Sequence, residues 1–276
     1  MSEKKVLFIT TEISPYLPDT DMSLIARDLP SGIQERGREI RTFMPKFGLV
    51  NERRNQLHEV IRLSGLNIII NEADHQLVIK VASIHSVRMQ VYFIDNDDFF
   101  LRKHILRDEN GKEFSDNDER SIFYIRGVME TIKKLRWAPD IIHCHGCITA
   151  LAPIYIKKHY KSDPSFKHAK VVYSLYSDDF KQPYNASFAK KAKIEGVSQN
   201  DLRSIKENPD FITISKLAID FSDGIIIGSE NVNPELVEYV KQKENKKFLP
   251  YQPKETYIDS INNFYNKLLS VQEIKK

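Results

Sequence analysis

A short apolar run, Val6-Leu7-Phe8-Ile9, breaks at Thr10-Thr11-Glu12 into Ser14-Pro15-Tyr16-Leu17-Pro18 and then into a helical pattern. Apolar side chains at consecutive positions, without polar alternation, belong to a strand covered on both faces. The order strand, loop, helix is therefore the opening unit of a parallel α/β sheet. Pro139-Asp140-Ile141-Ile142-His143-Cys144-His145-Gly146-Cys147 repeats the unit: an apolar strand ends in polar and sulfur side chains and leads into an apolar helix over 149–159. In open parallel sheets ligands sit beyond the carboxyl ends of the strands, so both loops are expected to face one crevice.

The rest of the chain keeps this alternation. Residues 21–36 place Met22, Ile25, Ala26, Leu29 and Ile33 at helical spacing; Pro30 should end or kink that helix, and Gly37 closes it. A second strand covers 39–44. Residues 57–63, 66–70, 77–82 and 87–94 read as β segments joined by short polar turns, which predicts an antiparallel excursion beside the parallel sheet. Residues 95–117 read as a charged loop with a turn at Asn110-Gly111, and 115–136 as a long helix with Ser115 as its N-cap. Strands follow at 169–175 and 223–228. Helices follow at 186–193, 201–206, 211–221, 233–243 (with Pro234 in the first turn) and 255–271. The expected architecture is one α/β domain over 1–276, a Rossmann-like parallel sheet with helices on both faces and a small antiparallel β excursion.

The 276 residues, 41% hydrophobic and 29% charged, are enough for one large core. A net charge of +3, with no dense basic run carrying interleaved aromatics, argues against nucleic acid as a partner. Lys/Glu-rich pieces such as 241–247 read as solvated helix ends. The first apolar run is far shorter than a signal-peptide core, and no segment approaches the ~20 apolar residues that span a bilayer. Two cysteines and no export signal give the expectation of a cytoplasmic protein without a membrane partner.

Several motifs carry a family resemblance. The order strand, Glu12-x-x-Pro15, helix, Leu29-Pro30, Glu35-Arg36-Gly37-Arg38-Glu39-Ile40-Arg41, Met44-Pro45 and Asn51-x-Arg53-Arg54 resembles the amino-terminal domain of bacterial starch and glycogen synthases. Those enzymes extend α-1,4-glucan from ADP-glucose. Trp137-Ala138-Pro139-Asp140-Ile141-Ile142-His143-Cys144-His145 with Leu151-Ala152-Pro153, and Phe221-Ser222-Asp223-Gly224-Ile225-Ile226-Ile227-Gly228-Ser229, are similar to the same family, and the match runs in register over nearly the whole chain. The resemblance implies the amino-terminal lobe of a GT-B glycosyltransferase, whose carboxy-terminal lobe binds most of the nucleotide-sugar. Nothing after Ser229 resembles that second lobe, so it is expected to be absent, along with its donor-binding arginine and lysine and its acidic residue.

The retained lobe departs from the family at successive strand ends. The family's Lys-x-Gly-Gly-Leu is replaced by Pro18-Asp19-Thr20-Asp21-Met22. Paired glycines let backbone amides approach a phosphate and the lysine neutralises it, whereas Asp19 and Asp21 repel it. His-x-His-Asp-Trp becomes His143-Cys144-His145-Gly146-Cys147, losing a carboxylate and an aromatic platform. A His-Asn pair becomes Tyr176-Ser177 in Ser174-Leu175-Tyr176-Ser177-Asp178, with Tyr176 at the histidine's place.

The candidate crevice residues are Glu12, Tyr16, Asp19, Asp21, His143, His145, Cys147, Tyr176 and Asp178; no metal and no cofactor is expected. Cys144 and Cys147 stand between a strand and a helix, where a thiol pKa can be lowered for dithiol chemistry; the plainer reading is buried or crevice-lining side chains. Strand alternation sends His143 and His145 to one side and Cys144 to the other, against a shared metal. Glu12 reads as an anchor for its loop or a hydrogen-bond acceptor for a sugar hydroxyl. Asp95-Asn96-Asp97-Asp98 lacks calcium-loop spacing and reads as solvated. Arg53 and Arg54 could recognise an anion or pair with acidic loops, and His58, His75 and His85 read as surface or packed histidines.

Three functions are compatible with this pattern. The first is a synthase-like lobe of glucan metabolism with reduced or no stand-alone transfer, holding glucan or a maltooligosaccharide. The second is an ADP-glucose:α-1,4-glucan glucosyltransferase that needs a separate donor-binding chain. The third is a protein-interaction module without a small ligand.

Overall fold

The computed structural model describes residues 3–273. In chain order the elements are β1 Lys5–Thr10, α1 Asp21–Glu35, β2 Glu39–Pro45, β3 His58–Glu59, β4 Leu66–Ile70, β5 Ala73–Ile84, β6 Met89–Asp95, α2 Asp97–Phe100 and α3 Asn117–Leu135. There follow β7 Ile141–His145, α4 Ala152–Lys158, β8 Lys170–Leu175, α5 Phe188–Ala192, α6 Arg203–Glu207, α7 Phe211–Phe221, β9 Gly224–Ile227, α8 Pro234–Lys241, β10 Lys247–Leu249 and α9 Tyr257–Glu273.

The strand order is β10-β9-β8-β7-β1-β2-β6-β5-β3, with β4 paired to β5. From β10 to β6 every pairing is parallel, and β5 runs antiparallel to β6, β3 and β4. This is the expected parallel sheet with an antiparallel excursion at one edge. β1 sits centrally, Phe8 opposite His143 on one side and Thr42 on the other.

Alternation along the buried strands sorts their side chains into two cores. Val6, Phe8, Ile141, Val172 and Ile226 meet Leu29 and Ile33 of α1 and Ile261, Phe264, Tyr265 and Leu268 of α9. Leu7, Ile9, Ile142, Cys144, Tyr173 and Ile225 point the other way, into the core built with α3, α4 and α7. Helices thus cover both faces.

Four local expectations need correction. Pro30 neither ends nor breaks α1: the helix runs through to Glu35 with Pro30 buried. A mid-helix proline costs ~3 kcal/mol or more, but Met22, Ala26, Leu29 and Ile33 are all buried along the same helix, each apolar side chain worth roughly 1–3 kcal/mol, which outweighs the lost bond. Ser115 is not the cap of α3; Asp116 holds that position and its carboxylate is engaged by Arg102 instead. Residues 57–63 form only the two-residue β3. The charged stretch after β6 contains one helical turn, α2, because Asn96 accepts the Phe99 N–H and buries Phe99 and Phe100.

Candidate functional site

The carboxyl ends of β1, β7, β8 and β9 and the amino end of α1 converge on one crevice. Thr20 caps α1: its Oγ1 accepts the Ser23 N–H at 3.0 Å while the Thr20 N–H donates to Ser23 Oγ at 2.8 Å. Thr20 Oγ1 also donates to Glu12 Oε2 at 3.1 Å, tying the first strand's end to the helix start. Burial, the main cause, and repulsion from Asp178 push the Glu12 carboxyl up, against the lowering effect of the Thr20 hydrogen bond.

Asp178 lies across the same space. Its Oδ2 accepts the Cys147 N–H, and the Cys147 thiol sits 3.6 Å from its carbonyl oxygen. Burial outweighs these hydrogen bonds and pushes the Asp178 carboxyl up to about 6. Between them Gly146 adopts φ 81°, ψ 172°, a region essentially reserved for glycine. A Cβ there would stand 2.6 Å from Asp178 Oδ2 and 2.6 Å from Met22 Cε. The family's aspartate position is thus glycine because carboxylate and methionine fill the space.

Beneath the crevice is a buried histidine pair, ring centroids 3.9 Å apart. His145 Nδ1 is hydrogen-bonded to the Tyr176 hydroxyl at 2.8 Å, and its Nε2 has no partner among the described residues. His143 is hydrogen-bonded to Tyr265 at Nδ1 and to Ser174 at Nε2, both at 2.6 Å. Burial drives His145 down to about 3 and His143, with added repulsion from His145, well below its ordinary value, so both imidazoles are neutral. The Tyr176 ring lies so close to Gly228 that a Cβ there would meet it at 2.6 Å.

An open cavity of about 170 Å³ adjoins this cluster, lined on the sheet side by Tyr176 and residues 226–229, by Asp21 and Asp28 of α1, and by Tyr251, Lys254 and Tyr257 of the tail. Of the expected residues, Asp21 and Tyr176 line it; His145 is bonded to Tyr176 behind the wall, and Glu12, Cys147 and Asp178 form a separate cluster outside the lining. Asp19 is exposed and does not line the cavity. Tyr16 turns away, packing edge-on against Phe93 at 4.9 Å with its hydroxyl unpartnered. His143 is inaccessible under Tyr265. The helical spacing of Tyr257, Ile261, Phe264, Tyr265 and Leu268 predicts a tail helix packed back on the body, as found, but not that its start and the preceding residues wall this cavity. Only the aromatic pair Tyr251 and Tyr257 around Pro253 could have signalled them.

Other candidates resolve more simply. Burial raises both thiols, Cys144 and Cys147, which opposes thiolate chemistry. Among the described residues no group of three or more His, Cys, Asp or Glu could hold a metal ion, and no helix is long and apolar enough to cross a membrane. The stretch 95–98 is not all solvated as expected: Asp95, paired with Lys80, and Asn96, which caps α2, are buried, and only Asp97 and Asp98 are exposed; His75 packs on Phe99. Arg53 and Arg54 are exposed and enter no ion pair among the described residues.

A parallel sheet covered on both faces, with its crevice at the carboxyl strand ends, defines a Rossmann-like lobe. Residues 5–249 match the starch synthase catalytic domain, and the chain belongs to that family. It is 35% identical over 174 residues to a glycogen synthase of Pelodictyon phaeoclathratiforme, covering 63% of this chain and 36% of that one. It is 36% identical to one of Chlorobaculum tepidum over the same lengths. The chain thus spans about a third of the length of these relatives. The catalytic domain of Starch Synthase IV from Arabidopsis thaliana, bound to ADP and acarbose, has the same fold: TM-score 0.72 at 18% identity, over 90% of this chain and 51% of that one.

Proposed function

We propose that this chain is a carbohydrate-binding, synthase-like lobe of glucan metabolism in the cytoplasm, with little or no transfer from ADP-glucose on its own. The observation that carries the reading is the charge of the crevice. Asp21 and Asp28 line the cavity, Glu12 and Asp178 face each other at the strand ends, and Lys254 is the single cation among the lining residues. Arg27, the nearest arginine on α1, is committed to Asp28 through two hydrogen bonds of 2.6 and 3.0 Å. Departure of a nucleoside diphosphate needs positive charge or convergent backbone donors where the leaving group develops charge. A crevice of carboxylates and tyrosines suits a neutral polyhydroxylated ligand better, its oxygens accepting from sugar hydroxyls. The acarbose of the Arabidopsis relative supports a carbohydrate ligand for this fold. Calorimetric titration of the reduced protein with ADP, ADP-glucose and a maltooligosaccharide tests the reading: glucan binding without nucleotide binding is expected, and binding of nucleotide but not glucan refutes it.

Family membership supports a second reading, in which the lobe transfers glucose together with a donor-binding lobe supplied by another polypeptide. Incorporation of labelled glucose from ADP-glucose into glucan, dependent on both this protein and a cell extract, is its expected result. No incorporation above the extract alone dismisses it.

A further inference from the structure

The cavity at the ends of β8 and β9 is walled on its outer side by residues that follow the family match. Residues 5–249 carry the family pattern, whereas Tyr251, Gln252, Lys254, Tyr257 and Ile261 all lie beyond it and all line the cavity. The tail is firmly seated. Arg36 Nε donates to Asp259 Oδ1 at 2.6 Å, and Arg38 donates to Asn262 and Asn266 at 2.7 Å each. Tyr265 is buried and bonded to His143. The first turn of α9 is thereby fixed against α1, with the 251–254 segment leading into it over the strand ends.

The chemistry of the walls is that of a small-molecule site, apolar with a few polar groups. Leu24, Ile25, Ile226, Ile227 and Ile261 supply apolar surface, and Tyr176, Tyr251 and Tyr257 supply aromatic surface. Among the described residues the Asp21 carboxylate, the Lys254 ammonium and the Tyr257 hydroxyl enter no hydrogen bond or ion pair, leaving an acceptor, a donor and a group able to be either at the wall. Tyr251 is 39% exposed, an uncovered ring at the mouth. About 170 Å³ of space lies between the walls, of the order of the ~150 Å³ that accommodates benzene, so the walled part takes one six-membered ring and any larger guest extends from its open mouth.

We propose that this cavity is a site for a single neutral sugar ring, free or at the end of a glucan, completed in cis by Tyr251, Lys254 and Tyr257 of the chain's own tail. The proposal rests on the carbohydrate-binding reading of the same crevice and adds the size of the bound unit and the residues that make its outer wall. The tail tyrosines cover the faces of the ring, and Asp21, Lys254 and Tyr257 bond its hydroxyls.

The test uses the intact protein with ring-labelled tyrosine, observed by two-dimensional NMR during titration with glucose, methyl α-glucoside, maltotriose and ADP. The Tyr251 and Tyr257 resonances are expected to shift with at least one of the sugars and not with ADP. Response to glucose marks a site for the free ring, and response to maltotriose alone marks a site for a chain end. Tyr251→Ala, Lys254→Ala and the conservative Tyr257→Phe should each weaken that binding roughly three- to ten-fold, the worth of one polar or ring contact, without changing the unfolding temperature. If wild type binds maltotriose but the tail tyrosines do not respond and the variants bind equally well, the tail wall is refuted while carbohydrate binding stands. If wild type binds none of the sugars, both fall.

Discussion

Asp178→Asn should stabilise the protein, and increasingly so as the pH rises. In the folded chain this carboxyl titrates at about 6, against an ordinary 3.8, chiefly because burial penalises its charged form. A raised folded value means that folding favours the protonated form. The associated stability is fully present below 3.8 and is lost as the pH climbs through 6. Each tenfold change in proton affinity is worth about 1.4 kcal/mol, so ionising Asp178 in place costs on the order of 3 kcal/mol above pH 6. Asparagine never ionises, and its amide oxygen can still accept the Cys147 N–H that Asp178 Oδ2 accepts. The variant also relieves the repulsion that raises Glu12, an effect of the same sign. Urea unfolding of both proteins, followed by circular dichroism from pH 4 to 7.5, should show the difference in stability moving in favour of Asp178→Asn by ~2–3 kcal/mol, mostly between pH 4 and 6.5. A difference that stays constant with pH, or moves toward wild type, would refute the burial argument.

Three further outcomes follow from the same cluster. Gly146→Ala combines a glycine-only backbone conformation with a Cβ 2.6 Å from both Asp178 and Met22, and should cost at least ~3 kcal/mol in equilibrium unfolding. Tyr265→Phe strands the buried Nδ1 of His143, a loss of roughly 1–3 kcal/mol that should appear as a lower denaturant midpoint at unchanged m-value. Because burial raises both thiols, Cys144 and Cys147 should resist an aromatic disulfide reagent at pH 8 in the native protein and react promptly in urea, and fast native labelling of Cys147 would reopen dithiol chemistry.

What could be read from the sequence followed from burial on two faces. Val6 to Ile9 and Ile141-Ile142 are apolar at consecutive positions because helices cover both sides of their strands, and this single pattern located the sheet, its order of alternation and the crevice. The helix expected at 211–221 is α7, where an apolar run meets an aspartate cap: Asp210 accepts the Thr213 N–H. Short elements escaped. β10 is three residues among lysines and exists because the end of β9 offers it a partner, and α2 is a single turn held by Asn96. Within the site the sequence named the right loops but could not orient side chains on them. Tyr16 and Glu12 belong to one loop, yet Tyr16 packs into the core against Phe93 while Glu12 turns to Thr20. His143 and His145 share one face of β7, yet one lies under α9 and the other reaches Tyr176. Tyr16 finds its partner on β6 and His143 finds one on α9, 122 residues away, which no local pattern encodes.

The same separation of scaffold and side chain explains how a familiar lobe can carry a different crevice. The strand ends are positioned by backbone pairing and by two cores built almost wholly of apolar side chains, so the polar residues at the strand ends can change without unfolding the sheet. Once Asp19 and Asp21 occupy the start of α1, helix-end amides that would favour an anion are offset by fixed negative charge, and Glu12 and Asp178 add to it. Burial is the main reason that Glu12 and Asp178 both hold their protons longer than free carboxyls do, with repulsion from Asp178 adding to the rise at Glu12. Carboxylates accept and tyrosine hydroxyls can donate, so a crevice lined by both can do either. Those are the terms on which sugar hydroxyls, each a donor and an acceptor, are recognised.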